Sequence, residues 1–282
     1  TLSSSSAASD VYKRQFKGLG MVTSAIWQDV DHDSWKDLVV VGEFMEITIF
    51  KNNKGNLSPM PITWLNNQDE NINTFGWWNK IVATDLDKDG DVDFILGNQG
   101  TNGFMKPTQE RPVYVYTKDY DENGSFDPVL AKYFNTEEGE QLLPVHSRDD
   151  VMKQLTVLKN DHTSYQDFAN VSYEKLLKIK DLSSETLKAS IFESSYAENL
   201  GNGKFRLMAL PDKCQVAPIQ DILVDDLDND GNIDMLLVGN DLTAETHYGN
   251  LDALTGLQIE RINNEFVVYE SRDSGFYVPG QS

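Results

Sequence analysis

Cysteine and long apolar runs are nearly absent from this sequence. The 282 residues include a single cysteine, Cys214, so no disulfide can form within the chain. One thiol is compatible with the cytoplasm, the periplasm or a bacterial cell surface, and we expect Cys214 to be a small apolar core residue. Since no run of about 18 apolar residues occurs, the sequence predicts no membrane-spanning helix.

Basic residues are also scarce. Lysine and arginine total 24, against 45 aspartates and glutamates, which gives a formal net charge of −21. Proteins that bind nucleic acid neutralise phosphates with basic side chains, so we expect no nucleic-acid partner. Anionic membrane surfaces are poor partners for the same reason.

Histidine is rare too, and no familiar catalytic motif is present. The four histidines are His32, His146, His162 and His247. Neither Gly-x-Ser-x-Gly nor His-Glu-x-x-His occurs, and most closely spaced carboxylates fall in a few acidic loops. The sequence therefore predicts a protein that is not an enzyme.

The most informative stretch is Asp85-Leu86-Asp87-Lys88-Asp89-Gly90-Asp91-Val92-Asp93, with aspartate at positions 1, 3, 5 and 9 and glycine at 6. Alternating carboxylates bring oxygen ligands to one centre when the backbone curls, and glycine permits the sharp turn, as in Ca²⁺ loops. The stretch is no EF-hand, because position 12 is Leu96 instead of glutamate and β-like apolar runs flank it. It predicts a Ca²⁺ loop between two strands.

The same spacing occurs four times. A single acidic loop is equally compatible with a solvated turn, but four copies, three of them followed by an apolar strand, favour cation sites. The side chains at positions 1, 3, 5 and 9 are Asp29, Asp31, Asp33 and Asp37 in loop 1; Asp85, Asp87, Asp89 and Asp93 in loop 2; Asp119, Asp121, Asn123 and Asp127 in loop 3; and Asp226, Asp228, Asp230 and Asp234 in loop 4.

The loops mark repeating units that run strand, loop, strand, strand, Asn/Gly turn, strand. Asp29 and Asp85 are 56 positions apart, whereas Asp85 and Asp226 are 141 apart, so about 85 extra residues interrupt the second unit. Four-stranded units of this length are typical of β-propeller blades. We predict blades at about 21–62, 76–211 and 215–270, with a hairpin and helical insertion at about 111–190. Residues 1–15 are interpreted as a non-native or disordered leader, and 16–282 as a fragment of a longer propeller.

The insertion has its own pattern. Val113–Tyr116 and Val129–Phe134 flank loop 3 and predict a hairpin. Ser147 and Asp150 form a capping box before apolar residues at helical spacing, and further short helices are predicted at 173–179 and 185–189. A packed helical cap is the preferred interpretation, and a partner-docking surface is the alternative.

Aromatic residues cluster before the second unit, at Trp64, Phe75, Trp77 and Trp78. Burial between blades is the favoured interpretation. A stacking platform for sugars is the alternative.

With these motifs in hand, the chain resembles the FG-GAP/VCBS repeats of integrin α-subunit propellers and many bacterial surface proteins. The pattern Asp-x-Asp-x-Asp-Gly-x-x-Asp before an apolar strand carries the resemblance, together with a later Asn-x-Gly-x-Phe turn. Three further blocks are similar to VCBS-repeat proteins of Bacteroidota associated with ASPIC/UnbV domains: Gly76-Trp77-Trp78-Asn79, Lys118-Asp119-Tyr120-Asp121 and Ser147-Arg148-Asp149-Asp150. The resemblance implies an all-β fold, a partial β-propeller of four-stranded blades with Ca²⁺ loops and a small α-helical insertion.

The resemblance also implies the ligand set of each loop. Ca²⁺ would be held by the side chains at positions 1, 3, 5 and 9 and by the backbone carbonyl at position 7. The position 7 residues are Trp35, Asp91, Ser125 and Asn232. Loop 1 departs from the family pattern at Ser34, which replaces the glycine, and loop 3 has one carboxylate fewer and is expected to bind most weakly.

We therefore expect a non-enzymatic Ca²⁺-binding module for interaction or adhesion with an unidentified protein or glycan. Its expected location is extracellular, at the cell surface or in the periplasm of a Gram-negative bacterium; any membrane anchor would lie in sequence outside this chain. The alternative function is a propeller enzyme that acts on polysaccharide. A calcium sensor is disfavoured because loops between strands lack the helix pair that opens in sensors.

Overall fold

A computed structural model describes residues 16, 18–242, 249–278 and 280, so the predicted leader at 1–15 lies outside the described residues. The chain divides into two compact units: a main unit of residues up to 103 and from 192 onward, and an insertion unit of residues 104–191. Among the described residues, strand residues far outnumber helical residues, and the strands form four sheets. Where the structure is described, no helix is long and apolar enough to cross a membrane.

The first sheet of the main unit contains the four strands predicted for the first repeat. They are β1 (Met21–Gln28), β2 (Asp37–Met45), β3 (Thr48–Asn53) and β4 (Asn56–Pro59), paired antiparallel in that order. The strand β2 is an almost continuous apolar run, and Val39–Val41 are buried as expected for a central strand covered on both faces. Lys54 and Gly55, both at positive φ, close the tight turn between β3 and β4. The short β6 (Gly76–Trp77) adds to the end of β2.

The second sheet is interrupted by the insertion. Its strands are β5 (Thr63–Leu65), β7 (Lys80–Thr84), β8 (Asp93–Gly97), β13 (Ser195–Asn199) and β14 (Lys204–Ala209), in the order β5-β14-β13-β8-β7. The strands β8 and β13 are hydrogen-bonded neighbours although the insertion unit separates them in sequence. The parallel strand β5, which comes from the segment after the first repeat, was not predicted.

The insertion unit combines a sheet with short helices. Its strands are β9 (Val113–Tyr116), β10 (Val129–Thr136), β11 (Gly139–Pro144) and β12 (Thr186–Ala189), in the order β11-β10-β9-β12. Its helices are α1 (Arg148–Gln154), α2 (Tyr165–Ala169), α3 (Tyr173–Leu176) and α4 (Leu182–Glu185), with a 3₁₀ turn at Thr156–Leu158. The predicted hairpin around loop 3 is confirmed. The predicted N-cap of α1 is also confirmed, because the Ser147 side chain accepts the N–H of Asp150.

Two predictions in the insertion unit require correction. The helix predicted at 185–189 is wrong, because Thr186–Ala189 is the edge strand β12, paired with β9. A helix of five residues forms too few internal hydrogen bonds to compete with pairing to an open strand edge. The insertion is therefore less helical than predicted, since β11 and β12 extend the hairpin into a four-stranded sheet. Val151, Leu155 and Leu158 are buried in its core, as expected for a packed cap.

The third sheet of the main unit is an antiparallel meander. Its strands are β15 (Ile219–Asp225), β16 (Asp234–Gly239), β17 (Leu257–Ile262) and β18 (Glu265–Glu270), followed by the single helical turn α5 (Ser271–Ser274). A core that includes Ile95, Tyr196, Ile219 and Met235 joins this sheet to the second one. Cys214 is fully buried in the same core, which confirms the prediction of an apolar role.

Two members of the aromatic cluster before the second repeat, Trp64 and Trp78, are buried in the core. Trp78 is fully buried and donates its indole N–H to the carbonyl of Thr74, and Trp64 packs on Phe205. Trp77 is half-buried against the rings of Phe44 and Phe192. Burial is thus the correct interpretation for Trp64 and Trp78, which offer no free face for a sugar.

Candidate metal centres

The first aspartate organises the turn in the same way in all four acidic loops. One of its carboxylate oxygens accepts the N–H of position 6, which pulls the backbone into a closed curl around the carboxylates. The four contacts are Asp29 with Ser34 at 2.8 Å, Asp85 with Gly90 at 3.1 Å, Asp119 with Gly124 at 2.7 Å and Asp226 with Gly231 at 3.0 Å. The four loops therefore share a fold as well as a spacing.

Positions 5 and 9 complete the shared pattern. The side chain at position 5 accepts the N–H of position 7, with contacts Asp33–Trp35, Asp89–Asp91, Asn123–Ser125 and Asp230–Asn232. The carboxylate at position 9 accepts the N–H of position 2, with contacts Asp37–Val30, Asp93–Leu86, Asp127–Tyr120 and Asp234–Leu227. Each loop is thus closed by the side chains that the sequence predicts as ligands.

The backbone at positions 4 and 6 adopts left-handed conformations in every loop. Position 6 has φ of 96° at Gly90, 92° at Gly124 and 89° at Gly231. Ser34, which replaces the glycine in loop 1, has φ of 71° and adopts the same conformation. The turn geometry of loop 1 therefore survives the substitution, although a side chain with a Cβ is strained there.

The ninth aspartate anchors each loop to the sheet. Asp37, Asp93, Asp127 and Asp234 are all buried. In the second sheet, Asp93 accepts hydrogen bonds from the Asn199 N–H at 2.8 Å and from the Tyr196 hydroxyl at 2.7 Å. Burial nevertheless raises the pKa of Asp93 to about 6, because a buried carboxylate loses its hydration.

An asparagine from the neighbouring turn supports the anchor in two sheets. Asn52 and Asn199 each donate their backbone N–H to the ninth aspartate and their side-chain amide to the carbonyl at position 8. Both amide oxygens then accept the N–H of the glycine in the same turn, Gly55 or Gly201. This contact explains why the Asn/Gly turn accompanies the acidic loop in the sequence.

Carboxylates converge in all four loops, with ligand oxygens within 4.8 Å of one another. The convergent groups are Asp29, Asp31 and Asp33; Asp85, Asp87 and Asp93; Asp119, Asp121 and Asp127; and Asp226, Asp228 and Asp230. The predicted ligands Asp37, Asp89 and Asp234 lie in the same loops but outside these groups, where they make the hydrogen bonds given above. The groups place at least three carboxylates around one point in each loop.

Loops 2 and 4 carry a further mark of a cation site. Asp85 Oδ1 and Asp226 Oδ1 are buried and have no hydrogen-bond partner. A buried carboxylate oxygen without a donor is costly, so such atoms are rare unless an ion or a water satisfies them. Both belong to the first aspartate of the loop and to the convergent groups. These residues fit a hard divalent cation such as Ca²⁺.

Loop 1 differs because a lysine reaches its carboxylates. The ammonium of Lys51 contacts Asp31 and lies 2.8 Å from Asp33 Oδ2. The hydrogen bond from Lys51 holds the pKa of Asp33 below its ordinary value, and the two carboxylates raise the pKa of Lys51. Lys51 could not be predicted from the loop spacing because it lies on β3, outside the loop.

Neighbouring loops of the main unit also touch one another at equivalent positions. The side chain at position 4 of one loop meets the side chain at position 7 of the next. His32 Nε2 lies 2.8 Å from Asp91 Oδ1, and Lys88 donates to Asn232 Oδ1 at 2.9 Å. The three loops of the main unit therefore form a continuous row, which spacing within a single loop does not reveal.

Residues 29–96 match the family model of the FG-GAP-like repeat. The matched segment runs from the first aspartate of loop 1 to β8, so it contains loops 1 and 2 and the whole of β2, β3 and β4. The match supports the resemblance to FG-GAP/VCBS repeats for this part of the chain. FG-GAP repeats are generally non-catalytic and often bind Ca²⁺. No curated protein matches the chain.

Proposed function

We propose that this chain is a Ca²⁺-binding β-propeller repeat module without catalytic activity. The observation that carries the proposal is the pair of buried, unpartnered oxygens Asp85 Oδ1 and Asp226 Oδ1 inside two loops of identical hydrogen-bond pattern. An FG-GAP-like repeat across loops 1 and 2 is the second support, since such repeats often bind Ca²⁺.

The propeller arrangement is supported by how the sheets of the main unit meet. In each sheet the strand before the acidic loop is the inner one: β1 packs on β7, and β7 packs on β15. Sheets that touch through their first strands radiate from a common axis, as blades do. The second blade would then be the β7-β8-β13-β14 sheet, with the insertion between its second and third strands.

The role proposed for the cation is structural. In loops 2, 3 and 4 the side chains at positions 1, 3, 5 and 9, with the carbonyl at 7, would hold Ca²⁺. Bound Ca²⁺ supplies the positive charge that a ring of carboxylates needs at a strand-to-strand connection. The carboxylates themselves fix the turn by accepting N–H groups of their own loop, so the turn and the ligand set form together.

The proposed setting is outside the cytoplasm, as is typical of FG-GAP repeats. Millimolar extracellular Ca²⁺ would keep sites of modest affinity filled. The proposed partner is a protein or glycan. A cavity of about 530 Å³ beside loops 1 and 2 is the candidate surface, because it combines apolar Met60 and Phe205 with polar His32, Asp91 and Asn202.

The alternative function, hydrolysis of a polysaccharide, has one observation in its favour. His32 and Asp91 form a titratable pair at 2.8 Å on the wall of that cavity. Turnover on a panel of bacterial and host polysaccharides that is lost in His32→Ala would favour the enzyme. Binding to an immobilised glycan or protein without turnover supports the module.

Calorimetric titration of the chelator-treated chain with Ca²⁺ tests the main proposal. We expect the wild type to bind Ca²⁺ and Asp85→Asn and Asp226→Asn each to bind one ion fewer, because asparagine keeps the shape of the aspartate but loses its charge. Asp252→Asn, an exposed carboxylate of the main unit outside the loops, is the matched control and should leave the stoichiometry unchanged. Unaltered binding in both loop variants would contradict the proposal.

A further inference from the structure

In the main unit, the side chain that lies across the strands from the ninth aspartate is positively charged in the first sheet and negatively charged in the other two. Pairing of Leu38 with Phe50 places Lys51 opposite Asp37. Pairing of Phe94 with Ala197 places Glu198 opposite Asp93 in the second sheet. In the third sheet, Asp234 is paired directly with Glu260. One structural position therefore holds a cation beside loop 1 and a carboxylate beside loops 2 and 4.

These three side chains have different partners. Glu198 pairs with Arg206 at 2.9 Å, and Glu260 accepts from the Asn232 amide at 3.0 Å and from the Tyr269 hydroxyl. Lys51 turns toward its own loop and bridges Asp31 and Asp33, two carboxylates of the convergent group. Only beside loop 1 does this cross-strand position place a fixed cation between the predicted ligands, so far as the described residues extend.

An ammonium and a divalent cation compete for this place. Both need the oxygens of Asp31 and Asp33. Because both are positively charged, they repel each other too strongly to bind these oxygens at the same time. Ca²⁺ binding would first have to break two ion pairs and then leave the displaced ammonium close to the metal. The same carboxylates are otherwise well arranged, because loop 1 has the hydrogen-bond pattern of the other loops.

We propose that Lys51 is the resident counter-ion of loop 1, so that this loop holds no Ca²⁺ while loops 2, 3 and 4 do. The inference rests on the proposed function of those three loops. With Lys51 in loop 1, the first sheet is independent of Ca²⁺, and only the second and third sheets of the main unit depend on the metal. In the main unit, one residue on the strand that faces each loop then decides whether that loop holds Ca²⁺.

The test is a gain of a site. Calorimetric titration with Ca²⁺ should give three sites in the wild type and four in Lys51→Glu, which copies Glu198 and Glu260. Lys54→Glu makes the same change of charge in the same hairpin, where Lys54 is exposed, and should leave three sites. Lys51→Gln, which removes the ammonium without adding charge, should also gain the fourth site, with lower affinity than Lys51→Glu, and guards against misfolding of the more acidic variant.

Trp35 reports where the new site lies, because it is the position 7 residue of loop 1. Ca²⁺ should change the indole fluorescence of Lys51→Glu, and the added exchange Trp35→Phe should abolish that change. Four sites in the wild type, or no gain in either Lys51 variant, would overturn the inference. A wild type that binds no Ca²⁺, combined with a gained site in Lys51→Glu, would instead overturn the proposed function of loops 2–4 and leave the role of Lys51 standing.

Discussion

At the scale of single residues, the acidic loops depend on a few atoms whose environment is set by burial. Ser34 shows how much variation the backbone tolerates: it occupies the left-handed conformation that glycine occupies in the other three loops. Its N–H still donates to Asp29 at 2.8 Å, so the closed curl is kept. The identity of position 6 therefore affects the strain of the loop more than its shape.

The titration of Asp93 should make the stability of the Ca²⁺-free protein depend on pH. Its pKa rises from 3.8 to about 6 on folding, so the folded state binds the proton more tightly than the unfolded state. The free energy of unfolding should therefore fall as the pH rises from about 4 to 6, and the cost should be constant above that range. Since one pKa unit corresponds to ~1.4 kcal/mol, we expect a loss of about 2–3 kcal/mol.

Chemical denaturation in EDTA between pH 4 and 7 measures this slope. Asp93→Asn should flatten it, whatever the variant does to absolute stability, and Asp252→Asn should not. With Ca²⁺ in excess the slope should reverse, because the cation requires the deprotonated carboxylate. An equal slope in wild type and Asp93→Asn would show that Asp93 does not titrate in this range.

At the scale of secondary-structure elements, the sequence predicts what is encoded locally. The strands after loops 1, 2 and 4 follow from the apolar runs that begin at the ninth aspartate, and the spacing of the aspartates predicts that carboxylates converge in each loop. The strand β12 was missed because Thr186–Ala189 becomes a strand only when β9 offers it an edge. Lys51 and Asn199 were missed for a related reason. They reach the loops from strands whose register is set by the folded sheet.

Gly97, at the end of β8, lies where the second sheet meets the third. A Cβ added to this residue would lie 2.6 Å from the backbone carbonyl oxygen of Ile219 on β15. Because a backbone atom cannot swing away, the second and third sheets would have to separate, and we expect Gly97→Ala to lower the free energy of unfolding by about 1–3 kcal/mol. Denaturant unfolding in Ca²⁺ measures the loss.

Gly103→Ala is the matched control for Gly97→Ala. Its new Cβ would meet only the end of the Leu251 side chain, at 3.9 Å, and the substitution should be within about 0.5 kcal/mol of neutral. A Gly97→Ala protein as stable as this control would mean that the two sheets do not approach as closely as β8 and β15 do here.

At the scale of the whole molecule, charge and core packing are linked through the loops. The chain carries a net charge of −21, and each loop concentrates carboxylates that repel one another unless a cation is present. Loops 2 and 4 belong to the two sheets that share the core around Ile95 and Met235. Loss of the cations should therefore loosen this shared core as well as the loops.

Cys214 makes that loosening measurable. The thiol is fully buried in the shared core, and burial raises its pKa to about 12, so it should resist alkylation at neutral pH until the core opens. Ca²⁺ that binds only the folded state stabilises it by about 2.7 kcal/mol per site at a hundredfold excess over Kd. We therefore expect EDTA to lower the Tm by several degrees and to speed the alkylation of Cys214, and excess Ca²⁺ to reverse both effects.

Sodium chloride at matched ionic strength is the control for screening, and Cys214→Ser gives the background of the labelling reaction. A Tm and a labelling rate that EDTA leaves unchanged would contradict Ca²⁺ as a structural part of the fold. If sodium chloride slows the labelling as much as Ca²⁺ does, the effect of EDTA would be due to repulsion among the carboxylates alone.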